Sequence, residues 1–322
     1  MQRDLLDLLT CPVCRDGRLI GLDEQMDDRE LICSRCDARY PVRGGIPILL
    51  PPGFDATDVH DEIDHMHGHA DGHKHRQADY FDRGVAEEFE ISRPNDAPDA
   101  YRWMLDEKFR RSIAGLPDLR GATVVDACCG SGMDAEMLAR AGAQVIAIDI
   151  SEGCAARACA RAKRYGLKYV VVVGDVEHLP VRTASADVSY VHDGLHHLAD
   201  PAIGLRELAR VARRAVSVNE PAEALGTAVA VKLGVALERE DAGNRVARLR
   251  PGVVSRELAA AGFDVRWQRY LMYYKHEPGA AMRLASRPLM RDRYRGVVTL
   301  ADAAVGRWGN KLQVTAVRKK AA

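Results

Sequence analysis

Three strand-length apolar runs, each closed by an acid, do most to constrain what this chain can fold into. They are Val124 to Asp126 (VVD), Val145 to Asp149 (VIAID) and Val170 to Asp175 (VVVVGD), with helix-length segments between them. The pattern predicts strands at 123–127, 144–149, 168–173, 186–191 and 214–219, and helices at 133–142, 152–165 and 200–212. Alternation of this kind calls for an α/β fold, a parallel sheet covered by helices on both faces. Farther on, VVSRELAAAGFDVRWQRY fits a helix and a sixth strand, and KLQVTAVRK a late edge strand. Ligands of such sheets bind beyond the strand C-termini, near the switch in strand order. Acids closing successive strands therefore point to a bound ligand.

The loop after the first of these strands is DACCGSG, Asp126 to Gly132. Gly130 and Gly132 permit tight turns and close ligand approach, and the helix that follows presents free N–H donors. The loop lacks the third glycine of a dinucleotide fingerprint, has Ala135 at that position, and carries Asp126 and Asp134. No G-K-[ST] sequence is present for a P-loop. The cofactor is expected to be less anionic than a dinucleotide. Asp149, twenty-three residues after Asp126, stands where a carboxylate accepts hydrogen bonds from ribose hydroxyls. Asp175 stands where it would accept from an adenine amino group, with Val176 beside the ring.

An independent signature occupies the N-terminus. CPVC and CSRC give C-x2-C, a spacer of eighteen residues, and C-x2-C. Cys11, Cys14, Cys33 and Cys36 at this spacing can converge on one tetrahedral Zn2+ with no open position, which makes the ion structural. A redox dithiol pair is the alternative. Downstream, Tyr40, Val42, Ile46, Ile48 and Leu49 supply apolar cover for the ribbon or its docking surface, while Pro47 argues against a central strand.

Residues 53–79 read as a polar linker carrying His60, His65, His67, His69, His73 and His75, with regulatory metal binding as the alternative. Residues 80–120 form a helical extension in which Tyr101, Met104, Leu105, Phe109 and Ile113 share a face. The stretch 222–250 fits an inserted helix over the substrate opening. Between the last two strands, RLASRPLMRDRYR is basic, a solvated surface or an anion-binding one.

Two resemblances follow from these residues. Residues 1–52, through CPVC, LICSRC, Tyr40-Pro41-Val42 and Gly45-Ile46-Pro47, resemble the Trm112-related zinc ribbons, which stabilise or pair with methyltransferases. Over residues 120–220 the chain resembles a Rossmann-like class I S-adenosylmethionine-dependent methyltransferase of the ubiquinone and menaquinone branch, and a domain of that kind is expected over 121–322. The supporting series is Asp126 to Gly132, Asp149, GDVEHLP, SADVSYVHDGLHHLADP and RELARV. The resemblance implies S-adenosylmethionine as cofactor. Asp126, Gly130, Ser131 and Gly132 would approach its methionine part, Asp149 and Ile150 its ribose, and Asp175 and Val176 its adenine. Cys128 replaces the family's first loop glycine; it and Cys129 are expected to pack as small residues.

YVHDGLHH, Tyr190 to His197, should enter the cleft. His192 is the expected base, Asp193 its orienter, and His196 a further catalytic candidate; cofactor packing and a metal site are the alternatives. Asn219 and Glu220 close the next strand, Glu220 as a proton acceptor or as a hydrogen-bonding partner in a buried turn. The expected substrate is a small-molecule acceptor, quinone-like or polyketide-like. RNA base methylation is the second candidate and a non-catalytic scaffold the third.

The 322 residues carry 46 Lys plus Arg against 46 Asp plus Glu, so total charge points to neither nucleic acid nor an anionic membrane. No apolar run approaches the roughly 20 residues of a membrane span. The N-terminus shows no signal-peptide apolar region, and a cytoplasmic protein is expected.

Overall fold

A computed structural model describes residues 2–22, 30–51, 71–83, 87–224, 249–272 and 276–319. The strands are β1 (Leu19–Ile20), β2 (Glu30–Cys33), β3 (Arg39–Arg43), β4 (Ile46–Leu49), β5 (Thr123–Ala127), β6 (Gln144–Asp149), β7 (Val170–Gly174), β8 (Ala186–His192), β9 (Ala212–Pro221), β10 (Phe263–Tyr270) and β11 (Lys311–Arg318). They form one 11-stranded sheet in the order β1-β2-β3-β4-β7-β6-β5-β8-β9-β11-β10. Pairing is parallel from β4 through β9 and antiparallel at both ends. The order reverses at β5, which lies between β6 and β8. The crevice beyond the C-termini of β5 and β8 is therefore the topological switch point.

The helices are α1 (Gln2–Leu6), α2 (Asp71–Asp82), α3 (Glu87–Ser92), α4 (Asp99–Ile113), α5 (Met133–Arg140), α6 (Glu152–Arg164), α7 (Pro201–Val211), α8 (Pro251–Ala260), α9 (Ala280–Ala285) and α10 (Pro288–Val305). Their starts follow local chemistry: Ser151 caps α6 by accepting from the Cys154 N–H, and Asp200 caps α7 with Pro201 behind it. No helix among the described residues is long and apolar enough to cross a membrane.

Three elements differ from the sequence reading. The strand carrying Pro47 is internal, since β4 pairs with β3 on one side and with β7 on the other. Its parallel register with β7 begins at Ile48, one residue past the proline, so that ladder runs on residues that keep their N–H. Ribbon and catalytic domain accordingly share one core, in which Leu5, Leu9, Tyr40 and Leu49 join Val172, Leu179 and Val181. Second, helix α2 begins at Asp71, inside the passage expected to be linker, and buries Gln77 and Ala78. Third, the basic stretch 283–295 falls on helices, the end of α9 and the first part of α10. His60, His65, His67 and His69, and the inserted helix expected over 222–250, lie outside the described residues except for the flanks of that insert. There, Ala222 and Leu249 are joined by a parallel bridge.

Candidate active site

The loop 128–132 turns sharply at the end of β5. Cys128 has φ 56° in the place where glycine is expected, a left-handed conformation that is strained for a side-chain-bearing residue. Its side chain is accommodated because position 194 is glycine; a Cβ there would collide with Cys128. Burial pushes the thiols of Cys128 and Cys129 well above the ordinary range, as packing residues require. The loop is held from behind: Arg157 donates to Ser131 Oγ at 3.1 Å, and the fully buried Arg161 donates to Ser131 O at 2.9 Å and to Glu136 at 2.7 Å.

The acids that close the strands meet at this edge. Asp149 accepts from the Gly130 N–H at 2.8 Å and the Ser151 N–H at 3.0 Å, which leaves lone pairs on both oxygens. Ile150, partly buried, packs on the core beneath. Asp175 accepts from the Glu177 N–H at 2.8 Å and begins a single 3-10 turn, Val176–His178, with Val176 buried. Burial opposes ionisation of Asp175, but His178 and Lys74 bring its carboxyl below the usual value. Lys74, on α2, holds Asp175 at 2.6 Å and also pairs with Glu177. At the other end of α2, Asp82 accepts from Ser151 Oγ at 2.6 Å and the Gly153 N–H at 2.8 Å. Helix α2 thus straps the edge between Asp149 and Asp175.

Asp126 is buried, and its Oδ2 has no hydrogen-bond partner. Burial first, and then the neighbouring Asp134 and Asp149, push its carboxyl well above the ordinary range. An acid left in this state is suited to receive a cationic ligand group.

The segment after β8 is arranged differently from expectation. His192 Nδ1 lies 2.9 Å from Asp134 Oδ2, and Asp134 Oδ1 accepts from Tyr190 OH at 2.8 Å. Asp134, at the start of α5, is therefore the orienter of His192. Asp193 is not: its nearer oxygen is 3.6 Å from His192 Nε2, beyond a hydrogen bond. Its carboxylate instead binds Lys108 Nζ at 2.7 Å and Lys311 Nζ at 2.6 Å. Burial would raise the Asp193 carboxyl, but these lysines carry it well below the usual value. His192 Nε2 is buried with no partner.

His196 is buried, with Nδ1 2.8 Å from Glu220 Oε2, while Glu220 Oε1 accepts from the N–H groups of Gly194 at 2.8 Å and Leu195 at 2.7 Å. Glu220 is thus the buried-turn partner and His196 its neighbour, which places His196 in the loop's support. Asp193, His196 and Glu220 lie close enough to hold a metal ion. Yet the lysines take Asp193 and backbone donors take Glu220, so the three belong to a hydrogen-bond network. His197 Nδ1 meets Gln77 of α2 at 3.0 Å.

Lys74, Asp82, Lys108 and Lys311 were not anticipated from the sequence. A signal existed for Lys108, because Tyr101, Leu105, Lys108 and Ser112 follow helical spacing and put a lysine in an apolar stripe. Lys311 opens a strand in which polar and apolar residues alternate, and nothing local marked it.

In the ribbon, the sulfurs of Cys11, Cys14, Cys33 and Cys36 all lie within 4.8 Å of one another. Cys11–Cys36 and Cys14–Cys33 are each 3.6 Å apart, too far for a disulfide. A tetrahedron with metal–sulfur bonds of about 2.3 Å has edges of about 3.8 Å, close to this spacing. Gly17 and Arg35 direct their N–H groups at the sulfurs of Cys14 and Cys33, at 3.3 Å and 3.4 Å. Burial opposes it, but N–H donors and neighbouring sulfurs bring the Cys14 thiol down to about 7.

Comparison with known proteins agrees with both halves. Residues 125–217 match a methyltransferase domain, and residues 2–45 match the Trm112p-like proteins. The chain carries a methyltransferase domain behind an N-terminal Trm112p-like domain. Within this methyltransferase, the ribbon half is 36% identical over 63 residues to a UPF0434 protein of Nitrosococcus oceani, covering all of that protein and 20% of this chain. The catalytic half is 34% identical over 105 residues to a demethylmenaquinone methyltransferase of Thermobifida fusca, covering 44% of that protein and 32% of this chain. A magnesium protoporphyrin IX methyltransferase from Synechocystis, solved with S-adenosylhomocysteine, matches with TM-score 0.53 at 22% identity, over 75% of this chain and 98% of that one. A 4+2 cyclase matches with TM-score 0.54 at 19% identity, over 76% and 95%. At these identities the structures establish the fold.

Proposed function

We propose that this methyltransferase moves the methyl group of S-adenosylmethionine to a hydroxyl or comparably acidic position of a small, largely apolar molecule of quinone-like or polyketide-like type, with His192 as base. The observation that carries this reading is the His192 imidazole. It is fixed through Nδ1 by Asp134, its Nε2 is buried and unpartnered, and it stands at the switch point across from the loop 128–132.

The residues present fit the cofactor. Asp126 offers an unpartnered buried oxygen to the cationic methionine portion, with Gly130, Ser131 and Gly132 forming the turn beside it. Asp149 offers its remaining lone pairs to ribose, with Ile150 beneath, and Asp175 and Val176 offer an acceptor and an apolar face to adenine. When bound, the cofactor supplies an electrophilic methyl group on a sulfonium. His192 would take the acceptor's proton on Nε2 and so leave the acceptor oxygen ready to receive that group. Asp193, held by Lys108 and Lys311, fixes the cleft wall, and α2 excludes water from the adenosine end. The four cysteines would hold Zn2+ in a purely structural role.

An RNA substrate would need a basic track running from ribbon to cleft. The ribbon's Arg35, Arg39 and Arg43 are instead paired with Asp16, Glu30 and Glu152, which favours the small acceptor. The test is calorimetry of the zinc-loaded protein with S-adenosylmethionine, S-adenosylhomocysteine and NAD, followed by turnover assays on phenols, hydroquinones and RNA. Selective adenosyl binding with methylation of the small acceptors supports the reading. Methylation of RNA alone overturns it, and cofactor binding without turnover on any acceptor favours the scaffold alternative.

Two expectations concern the cofactor contacts. Asp149→Ala should weaken S-adenosylmethionine binding by about tenfold to a hundredfold, the range for hydrogen bonds to a charged group. Unchanged affinity would remove Asp149 from the ribose site. For Asp126, a cation beside the raised carboxyl favours its ionised form, so cofactor binding should release a proton at any pH where the free protein holds that carboxyl protonated. Binding enthalpies measured in buffers of different ionisation heat should then differ, and the difference should vanish in Asp126→Asn. Equal enthalpies for the wild type would count against the assignment. The sign for stability is opposite. A raised carboxyl stabilises the free protein fully below the unfolded value of about 3.9, and that contribution is lost as pH rises through the folded value.

A further inference from the structure

Helix α10 carries its apolar residues on the outside. Leu289, Arg293, Val297, Leu300 and Ala304 succeed one another at three- and four-residue steps and therefore share a face. That face meets solvent, with Leu289 87%, Val297 65% and Leu300 72% exposed. Three polar residues turn inward instead. Tyr294 OH reaches Met104 Sδ at 3.0 Å, Arg295 lies over the Trp103 ring, and Asp302 pairs with Arg111 at 2.9 Å. None of the 18 residues of α10 is buried, and none of α9. A helix serving only as cover for a core has the reverse arrangement.

The surroundings indicate the occupant. Leu284 on α9 and Trp308, just past the end of α10, are exposed as well. Residues 280–308 hold six arginines against two aspartates, in a chain whose total charge is zero. Arg287 and Arg293 are both exposed beside the leucines. We propose that α9 and α10 dock on an anionic phospholipid surface, with Leu289, Val297 and Leu300 entering the acyl boundary, Arg287 and Arg293 meeting headgroup phosphates, and Trp308 at the interface. A second copy fits this face poorly, because a two-fold contact sets two equally basic surfaces against each other. The underlying helix α4 carries Lys108 to Asp193, so the docking face and the cleft are joined through one helix. The docking itself does not depend on the proposed acceptor.

The test is sedimentation of the full zinc-loaded chain with vesicles of phosphatidylcholine alone or mixed equally with phosphatidylglycerol. The protein should sediment with the anionic vesicles and not with the neutral ones, less as salt rises. Leu289→Ser with Leu300→Ser should lower partitioning by about tenfold or more. Arg287→Glu with Arg293→Glu should do so independently, which decides the matter if the serine variant does not fold. Both variants should bind S-adenosylmethionine as the wild type does. Failure of the wild type to bind anionic vesicles at low salt, or equal binding by the arginine variant, overturns the proposal. So does a concentration-dependent dimer that the serine pair abolishes, in the absence of vesicle binding.

Discussion

His192→Ala is expected to lower kcat by about a hundredfold to ten-thousandfold on any acceptor whose proton must be removed, the usual contribution of a positioned base. Affinity for S-adenosylmethionine should stay within about twofold, because no proposed cofactor contact runs through the imidazole. Added imidazole should restore part of the lost rate in the truncated variant, which a merely structural histidine would not show. Asp134→Asn should reduce kcat as well, since Nδ1 loses the carboxylate that fixes it at 2.9 Å, while leaving the Tyr190 hydroxyl an acceptor. An unimpaired His192→Ala enzyme would remove the residue from the chemistry.

Removal of metal is the other large effect. The purified protein should contain a single zinc ion per chain, and Cys33→Ser or exhaustive chelation should lower Tm by roughly 10 °C or more. Affinity for S-adenosylmethionine should fall with it, and the geometry gives the reason. The ribbon supports the Asp175 loop from two directions: β4 pairs with β7 immediately before Asp175, and Leu9 bridges Val181 just after it, with Thr10 N–H donating to Pro180 O at 3.0 Å. A ribbon that loosens therefore loosens the adenine end of the site. Zinc-free protein that melts at the same temperature and binds the cofactor equally well would show that the sulfurs hold nothing of consequence.

The alternation of strands and helices was legible because β5, β6 and β7 are short, mainly apolar runs set between helix-length segments. Boundaries at Thr123–Ala127 and Gln144–Asp149 coincide with the reading, and β7 is displaced by two residues at its start and one at its end. The cysteine quartet was equally readable, since spacing alone brings thiolates together. Pairing across the chain was not. Nothing local to Asp134 shows that it faces His192, because the contact joins the start of a helix to the end of a strand 58 residues away. Asp193 was assigned to the histidine beside it in sequence, whereas consecutive residues of a strand end point apart. The lysines that claim it come from positions 108 and 311. Helix α2 escaped detection because its sequence, DGHKHRQADYFD, is mostly polar and is held by ion pairs and hydrogen bonds to the sheet edge.

The parallel pairing of β4 with β7 also bears on the order of synthesis. Ile48 leaves the ribosome some 125 residues before its partner Val173. With the proposed Zn2+ in place, the ribbon could close long before the catalytic sheet exists and then wait as a ready-made template. When VVVVG emerges, its outer edge meets a formed strand. In cells starved of zinc that template is missing, and a wholly apolar strand is left with open hydrogen-bonding groups, the kind of edge on which chains join one another. Metal supply during translation would then set how much of the enzyme survives, before any question of how fast it turns over.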